Sequence, residues 1–270
     1  MAEMTVRVNE RLVTLNAGTR LREIAARVKP DADLVIYNGH PVDDDRLLAD
    51  GDTVVLIRRG EQPDPEELEA AMVARHTPGV HARLRRACVG IAGCGGLGST
   101  VALSLARVGV GRLILADFDV VEPSNLNRQQ YFVDQIGQYK VEALCATLAR
   151  ANPFVQVESH RLTLTPENIP AVFAPADVIV EAFDRAEMKV MIIETVMSQM
   201  PGRPLVVGSG MAGYGRNNAI QTVQEGNLYI CGDGVSEARP GRGLMAPRVG
   251  IAANHQANQV LEILLGEDLR

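Results

Sequence analysis

The residues best suited to chemistry are Gly93-Cys94-Gly95-Gly96-Leu97-Gly98, with an acid following at Asp117. Glycines let the backbone come close to a phosphate, and a helix start turns unpaired N–H groups toward an anion. An acid about 20 residues beyond such a turn suits ribose hydroxyls. These groups need elements to hold them. The apolar run 88–92 leads in as a strand, residues 99–108 follow as a helix, and 112–116 form a second strand that stops at Asp117. Strand, glycine turn, helix, strand and acid make a nucleotide-binding βαβ unit. On its own this unit would serve NAD, FAD, a methyl donor or ATP.

Asn125-Leu126-Asn127-Arg128-Gln129-Gln130 comes soon after the acid, and Lys140 soon after that. A dehydrogenase has no evident use for these cations beside its ribose-binding strand. An ATP-cleaving enzyme does, because charge builds up on the α-phosphate and the leaving pyrophosphate. The stretch from Asp117 to Gln129 resembles the signature of the ThiF/MoeB-type sulfur-carrier adenylyltransferases of the ubiquitin-activating-enzyme superfamily, and the resemblance extends from about Cys88 to Gly266. It implies adenylation of a carrier's terminal glycine carboxylate by ATP. It also implies that Asn125, Arg128 and Lys140 contact phosphate, with Gln129 beside them, and that Asp184 binds magnesium. The family's usual Asp-Asn pair reads Asp184-Arg185 here, and the preceding acid is Glu181. Relatives can act as homodimers in which the partner subunit supplies an arginine from its N-terminal segment; Arg75 is the candidate here. Many relatives hold structural zinc in two Cys-x-x-Cys pairs. This chain has four cysteines and no such pair, so no zinc is expected. Cys231 lies near the place of the first pair, either as a sulfur-transfer thiol or as a packing residue, and Cys94 is read as packing.

The chain has 270 residues and a net charge of −6 without a long basic run, which disfavours nucleic acid as a partner. The start carries no basic-then-apolar signal pattern, and no apolar run nears membrane-spanning length, so a cytoplasmic protein with reduced thiols is expected.

Residues 1–60 read as a separate module. Segments 5–8 and 12–15 alternate at strand spacing around an Asn9-Glu10 turn, and Thr19 is the expected cap of a helix with Leu21, Ile24, Ala25 and Val28 on its apolar face. Further strands at 34–37 and 53–57 suggest a β-grasp fold resembling the sulfur carrier ThiS. A working carrier ends in a free Gly-Gly carboxylate, whereas this module reads Arg58-Arg59-Gly60-Glu61 and continues. Residues 61–80 read as a helical linker whose helix starts at Asp64-Pro65 and stops at His76-Thr77-Pro78-Gly79, and 81–270 as the ATP-binding domain.

The fold class expected is α/β: a Rossmann-like, doubly wound, mostly parallel sheet preceded by the small β-grasp domain. Residues 210–243 are glycine-rich, with short strands and a mobile crossover expected. The function expected is adenylation of a ThiS-like sulfur carrier for thiazole and thiamine synthesis, with a sulfur donor protein as a further partner. The alternatives are another acceptor, either a different ubiquitin-like carrier or a tRNA nucleoside, and a non-catalytic nucleotide-binding scaffold. An NAD-dependent enzyme remains open on the glycine turn alone.

Overall fold

The computed structural model describes residues 2–61, 64–74 and 79–266. The chain divides into two compact units, 1–77 and 78–270, each with a core of its own.

In the first unit, β1 (Glu3–Val8) and β2 (Arg11–Asn16) form an antiparallel hairpin. Asn9 and Glu10 both take positive φ, as a two-residue turn matched to strand twist requires. α1 (Leu21–Val28) follows, then β3 (Leu34–Tyr37), β4 (His40–Pro41) and β5 (Thr53–Ile57). The sheet order is β2-β1-β5-β3-β4, with β5 parallel to β1, and Val6, Val8, Leu21, Ile24, Val54 and Leu56 fill the core under the helix. One expectation needs correction: Thr19 does not cap α1. Its hydroxyl donates to the Asn16 carbonyl inside the preceding turn, and Arg20 occupies the cap position, where its amide donates to the Glu23 carboxylate. The exit from β5 is tied back, with Arg58 on Asp31 at 2.6 Å and Lys29 on Glu61 at 3.0 Å. α2 (Pro65–Val73) starts as Asp64 accepts the Glu66 amide at 2.9 Å, and Asn9 donates to Glu67 on it. Of the residues expected to end this helix, His76, Thr77 and Pro78 lie outside the described residues, as does Arg75.

The second unit opens with α3 (Val80–Arg86), β6 (Cys88–Ala92), α4 (Gly96–Arg107), β7 (Arg112–Ala116), α5 (Lys140–Ala151) and β8 (Gln156–His160). It continues with the one-turn α6 (Ile169–Val172), β9 (Val178–Glu181), α7 (Ala186–Gln199), β10 (Leu205–Gly208), β11 (Gln221–Glu225), β12 (Leu228–Gly232) and α8 (Ala246–Leu265). The sheet order is β11-β12-β10-β9-β6-β7-β8, parallel except for edge strand β11. β6, β9 and β10 are buried along their whole length, as strands covered on both faces must be. One face packs on α4, α5 and α8, the other on α6 and α7. The expected crossover is tightly hydrogen-bonded: the amides of Ala212 and Gly213 donate to Ser236 and Gly243, and that of Gly234 to Ser209. Among the described residues no helix is long and apolar enough to cross a membrane.

Candidate active site

Register sets the frame of the site. Ala92 at the end of β6 lies beside Ala116 of β7 on one side and Glu181 of β9 on the other. The residues that follow therefore leave the sheet together: Gly93, Asp117 and the turn 182–184. Parallel strands collect their site at these carboxyl ends. Gly93 takes φ +94°, and a Cβ there would stand 2.9 Å from the Ala182 carbonyl oxygen. A Cβ at Gly98 would fall 1.8 Å from the Gly93 carbonyl oxygen, so the helix rests directly on the turn. The space beyond is open: a Cβ at Gly95 would meet only Gln129 Nε2, at 4.0 Å, and no side chain caps α4. The uncapped first amides of that helix open onto this cradle, as an anion site requires.

Asp117 borders the cradle. Its Oδ2 accepts the Cys94 amide at 2.6 Å and its Oδ1 the Asp119 amide at 2.8 Å. Burial pushes its carboxyl above the ordinary range, against the pull of these two amides and of the Lys140 charge. Each carboxylate oxygen keeps a lone pair for a ribose hydroxyl.

The signature loop closes the other side. Gln130 docks it on α4, its amide donating to Ser99 Oγ and its side chain to Thr100 Oγ1. Arg128 lies against the helix start, its Cγ 3.4 Å from where a Gly96 Cβ would be. Its guanidinium donates to the Asn127 side chain at 2.7 Å and the Ser124 carbonyl at 3.2 Å, and it makes no ion pair among the described residues. The charge is oriented and left without a counter-ion. Lys140 is 7% exposed, and its Nζ lies 2.7 Å from Asp119 Oδ2, which ties it two residues along the chain from Asp117. Asn125 is buried and occupied: its Oδ1 accepts the Glu122 amide and holds the short 3-10 turn Pro123–Asn125. Gln129 is 8% exposed, and its Oε1 has no partner. That end of the carboxamide can take a donor such as a hydroxyl or water or, with the amide turned over, can donate to a phosphate oxygen.

Asp184 stands exposed at the end of β9, with no hydrogen bond or ion pair among the described residues. It does not cap α7, whose cap position is Arg185. The described residues hold no group of three or more His, Cys, Asp or Glu able to bind a metal ion. One free carboxylate on the turn beside Gly93 is compatible with magnesium, which would take its other ligands from water and substrate phosphate.

Spacing alone did not expose several supporting groups. The Tyr131 hydroxyl is buried and donates to the Cys94 carbonyl at 2.7 Å, tying the glycine turn to the signature loop. Glu181 is fully buried; it pairs with Lys189 and accepts the amides of Phe183 at 2.7 Å and Gly208 at 3.3 Å, which fixes the turn carrying Asp184. Cys231 is fully buried in β12 at 3.5 Å from the Thr222 hydroxyl, and burial pushes its thiol up; Cys94 is buried too and pushed up further. Both are in the state of packing cysteines.

A family model described as ThiF family matches residues 69–270, and one described as ThiS-like ubiquitin matches residues 4–60. The chain belongs to the ThiF family. Its curated relatives include an adenylyltransferase and sulfurtransferase MOCS3 of Xenopus laevis, 32% identical over 192 residues that cover 68% of this chain and 42% of that protein. An adenylyltransferase and sulfurtransferase uba4 of Aspergillus niger is 33% identical over 201 residues, 69% of this chain and 41% of that protein. The chain thus spans about two fifths of the length of these relatives. Among solved structures, E. coli TcdA, a tRNA N6-threonylcarbamoyladenosine dehydratase in complex with AMP, superposes with a TM-score of 0.69 at 19% identity, over 77% of this chain and 98% of that one. At that identity the likeness is one of fold. E. coli MccB in complex with AMPCPP and MccA gives a TM-score of 0.54 at 26% identity, over 68% of this chain and 58% of that one.

Proposed function

We propose that this chain adenylates the C-terminal carboxylate of a ubiquitin-like carrier protein, using ATP. The observation that carries the reading is the meeting of an uncapped helix start at Gly95 and Gly96 with an oriented arginine, Arg128, that has no counter-ion. The unpartnered carboxamide of Gln129 supports it. In the reaction a carboxylate oxygen of the acceptor attacks the α-phosphorus. The bond from that phosphorus to the bridging oxygen breaks, pyrophosphate leaves with the electron pair, and an acyl-adenylate remains. No protein nucleophile and no proton transfer is required.

The residues divide the work by position. Asp117 binds the ribose, while the α4 amides and Gln129 receive phosphate. Arg128 and Lys140 stabilise the charge that moves onto the α-phosphate and pyrophosphate. Asp184 would hold magnesium, which, when bound, neutralises phosphate charge.

The fused ThiS-like unit is not the acceptor in this reading. Gly60 is in peptide linkage to Glu61, and the segment is held by Arg58–Asp31 and Lys29–Glu61. A separate carrier supplies the carboxylate. A ThiS-like carrier serving thiazole synthesis is the finer form of the proposal, supported by the ThiS-like unit in the same chain. Relatives whose names join adenylyl and sulfur transfer support a carrier that goes on to receive sulfur from a donor protein. Mass spectrometry after incubation with ATP, magnesium and carriers ending in Gly-Gly tests this. The expected product is carrier plus AMP; ATP binding with no adenylate on any carrier contradicts it.

A further inference from the structure

A charged pair lies buried between two loops of the second unit. Arg248, in the first turn of α8, and Asp233, just past β12, meet at 2.6 Å with side chains 3% and 1% exposed. Isolated burial of two such charges is costly unless every donor and acceptor is used, and here they are used to hold loops. Asp233 accepts the amides of Val235 and Ser236 and the Ser236 hydroxyl. The second arm of Arg248 donates to the carbonyls of Gly215 and Arg216. The pair thus joins the loop after β10 to the loop after β12.

Arg216 is itself unusual. It takes φ +50°, a left-handed conformation that non-glycine residues seldom adopt. Its carbonyl oxygen is held from two sides, by Arg248 and by the Ala219 amide at 3.0 Å. Its side chain is exposed and makes no hydrogen bond or ion pair among the described residues. Backbone strain kept in place by a buried charge pair points to a side chain whose direction matters. These loops reach the cradle through α8 and through each other. Val249, next to Arg248, places its Cγ1 3.0 Å from where a Gly96 Cβ would be, and the Gly213 amide of one loop donates to the Gly243 carbonyl of the other at 2.9 Å. Asn127 of the signature loop donates to the Leu244 carbonyl at 3.4 Å.

We propose that Arg248 and Asp233 are positioning residues that hold Arg216 as the anion-binding group for the acceptor's terminal carboxylate. The assignment rests on the reading of this site as one of carboxylate adenylation. It places recognition of the acceptor on the loops after β10 and β12, apart from the phosphate-binding residues proposed in the signature loop.

The test uses the full chain and two probes: a Gly-Gly-terminated peptide with a free carboxylate, and the same peptide amidated at its C-terminus. Wild type is expected to bind the acid about tenfold more tightly than the amide, the scale of one hydrogen-bonded charge. Arg216→Ala and Arg248→Lys should abolish that preference, Arg216→Lys should restore it, and ATP affinity should stay the same throughout. Arg216 is on the surface, so its variants keep the test decisive if Arg248→Lys does not fold. A wild type without preference, or an Arg216→Ala protein that keeps it, overturns the assignment. A wild type that shows the preference but does not bind ATP would instead sink the adenylation reading.

Discussion

Several residues at the site do two jobs. Asp117 staples the glycine turn to its own strand end through the Cys94 and Asp119 amides, and it still has lone pairs for a ribose. Asn125 holds its own turn through Oδ1 and so shapes the loop that carries Arg128, while its Nδ2 has a single 3.4 Å partner in the Ser124 hydroxyl. Lys140 shares its charge with Asp119, whereas Arg128 has no ion-pair partner among the described residues, so its charge is the freer of the two. Asp184 is the opposite case, a carboxylate with no local task. Asp184→Ala should leave thermal unfolding unchanged and raise the magnesium needed for half-maximal activity by about tenfold or more, the scale of losing a metal-supporting group. An unchanged magnesium titration would remove Asp184 from the metal's surroundings.

At the scale of elements, the glycine turn separates fitting from binding. Gly98 has no room for a methyl group, because backbone lies 1.8 Å from where its Cβ would be. Gly98→Ala should destabilise the protein by about 1–3 kcal/mol or more and abolish ATP binding. Gly95 has φ −77° and open space, so Gly95→Ala should fold with near-normal stability yet bind ATP more weakly, since its methyl enters the cradle. Calorimetry on both variants separates these outcomes. The loop knot has a pH signature. Burial alone would raise Asp233, but the Ser236 hydroxyl, the amides of Val235 and Ser236, and Arg248 outweigh it and hold the carboxyl well below the usual range. A depressed folded pKa contributes stability that is complete above about pH 4 and lost as pH falls through the folded value. Asp233→Asn should therefore cost about 3 kcal/mol near neutrality. In urea titrations that gap should narrow as the solution is acidified.

These same elements show what the chain's spelling discloses. The glycine turn, Asp117 and the signature loop were legible because their geometry is local: strand, turn, helix and acid follow within one βαβ unit. The β1–β2 turn was legible for the same reason, as Asn9 and Glu10 link two alternating segments. The cap of α1 was misread because Thr19 finds a nearer acceptor in Asn16, and a hydroxyl satisfied in its own turn has no need of the helix. Tyr131 with Cys94, Glu181 with Gly208, and Asp233 with Arg248 were not legible at all. Each pairing depends on how distant segments pack, and nothing in either segment alone marks its partner.

For the whole molecule, the separation of cores divides stability from chemistry. Every proposed site residue described belongs to the second unit, whereas Asp52 anchors the first. Its buried carboxylate accepts the Tyr37 hydroxyl at 2.7 Å, the Asn38 side chain at 2.9 Å and the Ala49 amide at 2.7 Å. Removing it strands these donors, at about 1–3 kcal/mol. Asp52→Ala should lower the unfolding temperature of the first unit and leave ATP affinity unchanged; a matching loss of ATP affinity would mean the two units share one fate.

In the proposed reaction Arg128 stabilises the negative charge that builds on the α-phosphate and the leaving pyrophosphate during attack by an acceptor carboxylate. Carrier-dependent exchange of labelled pyrophosphate into ATP reads that step directly. With a Gly-Gly-terminated carrier and magnesium, the wild type should exchange, and Arg128→Ala should be slower by about 10²–10³-fold, as when one transition-state donor is lost. An Arg128→Ala protein that exchanges at the wild-type rate would contradict the account.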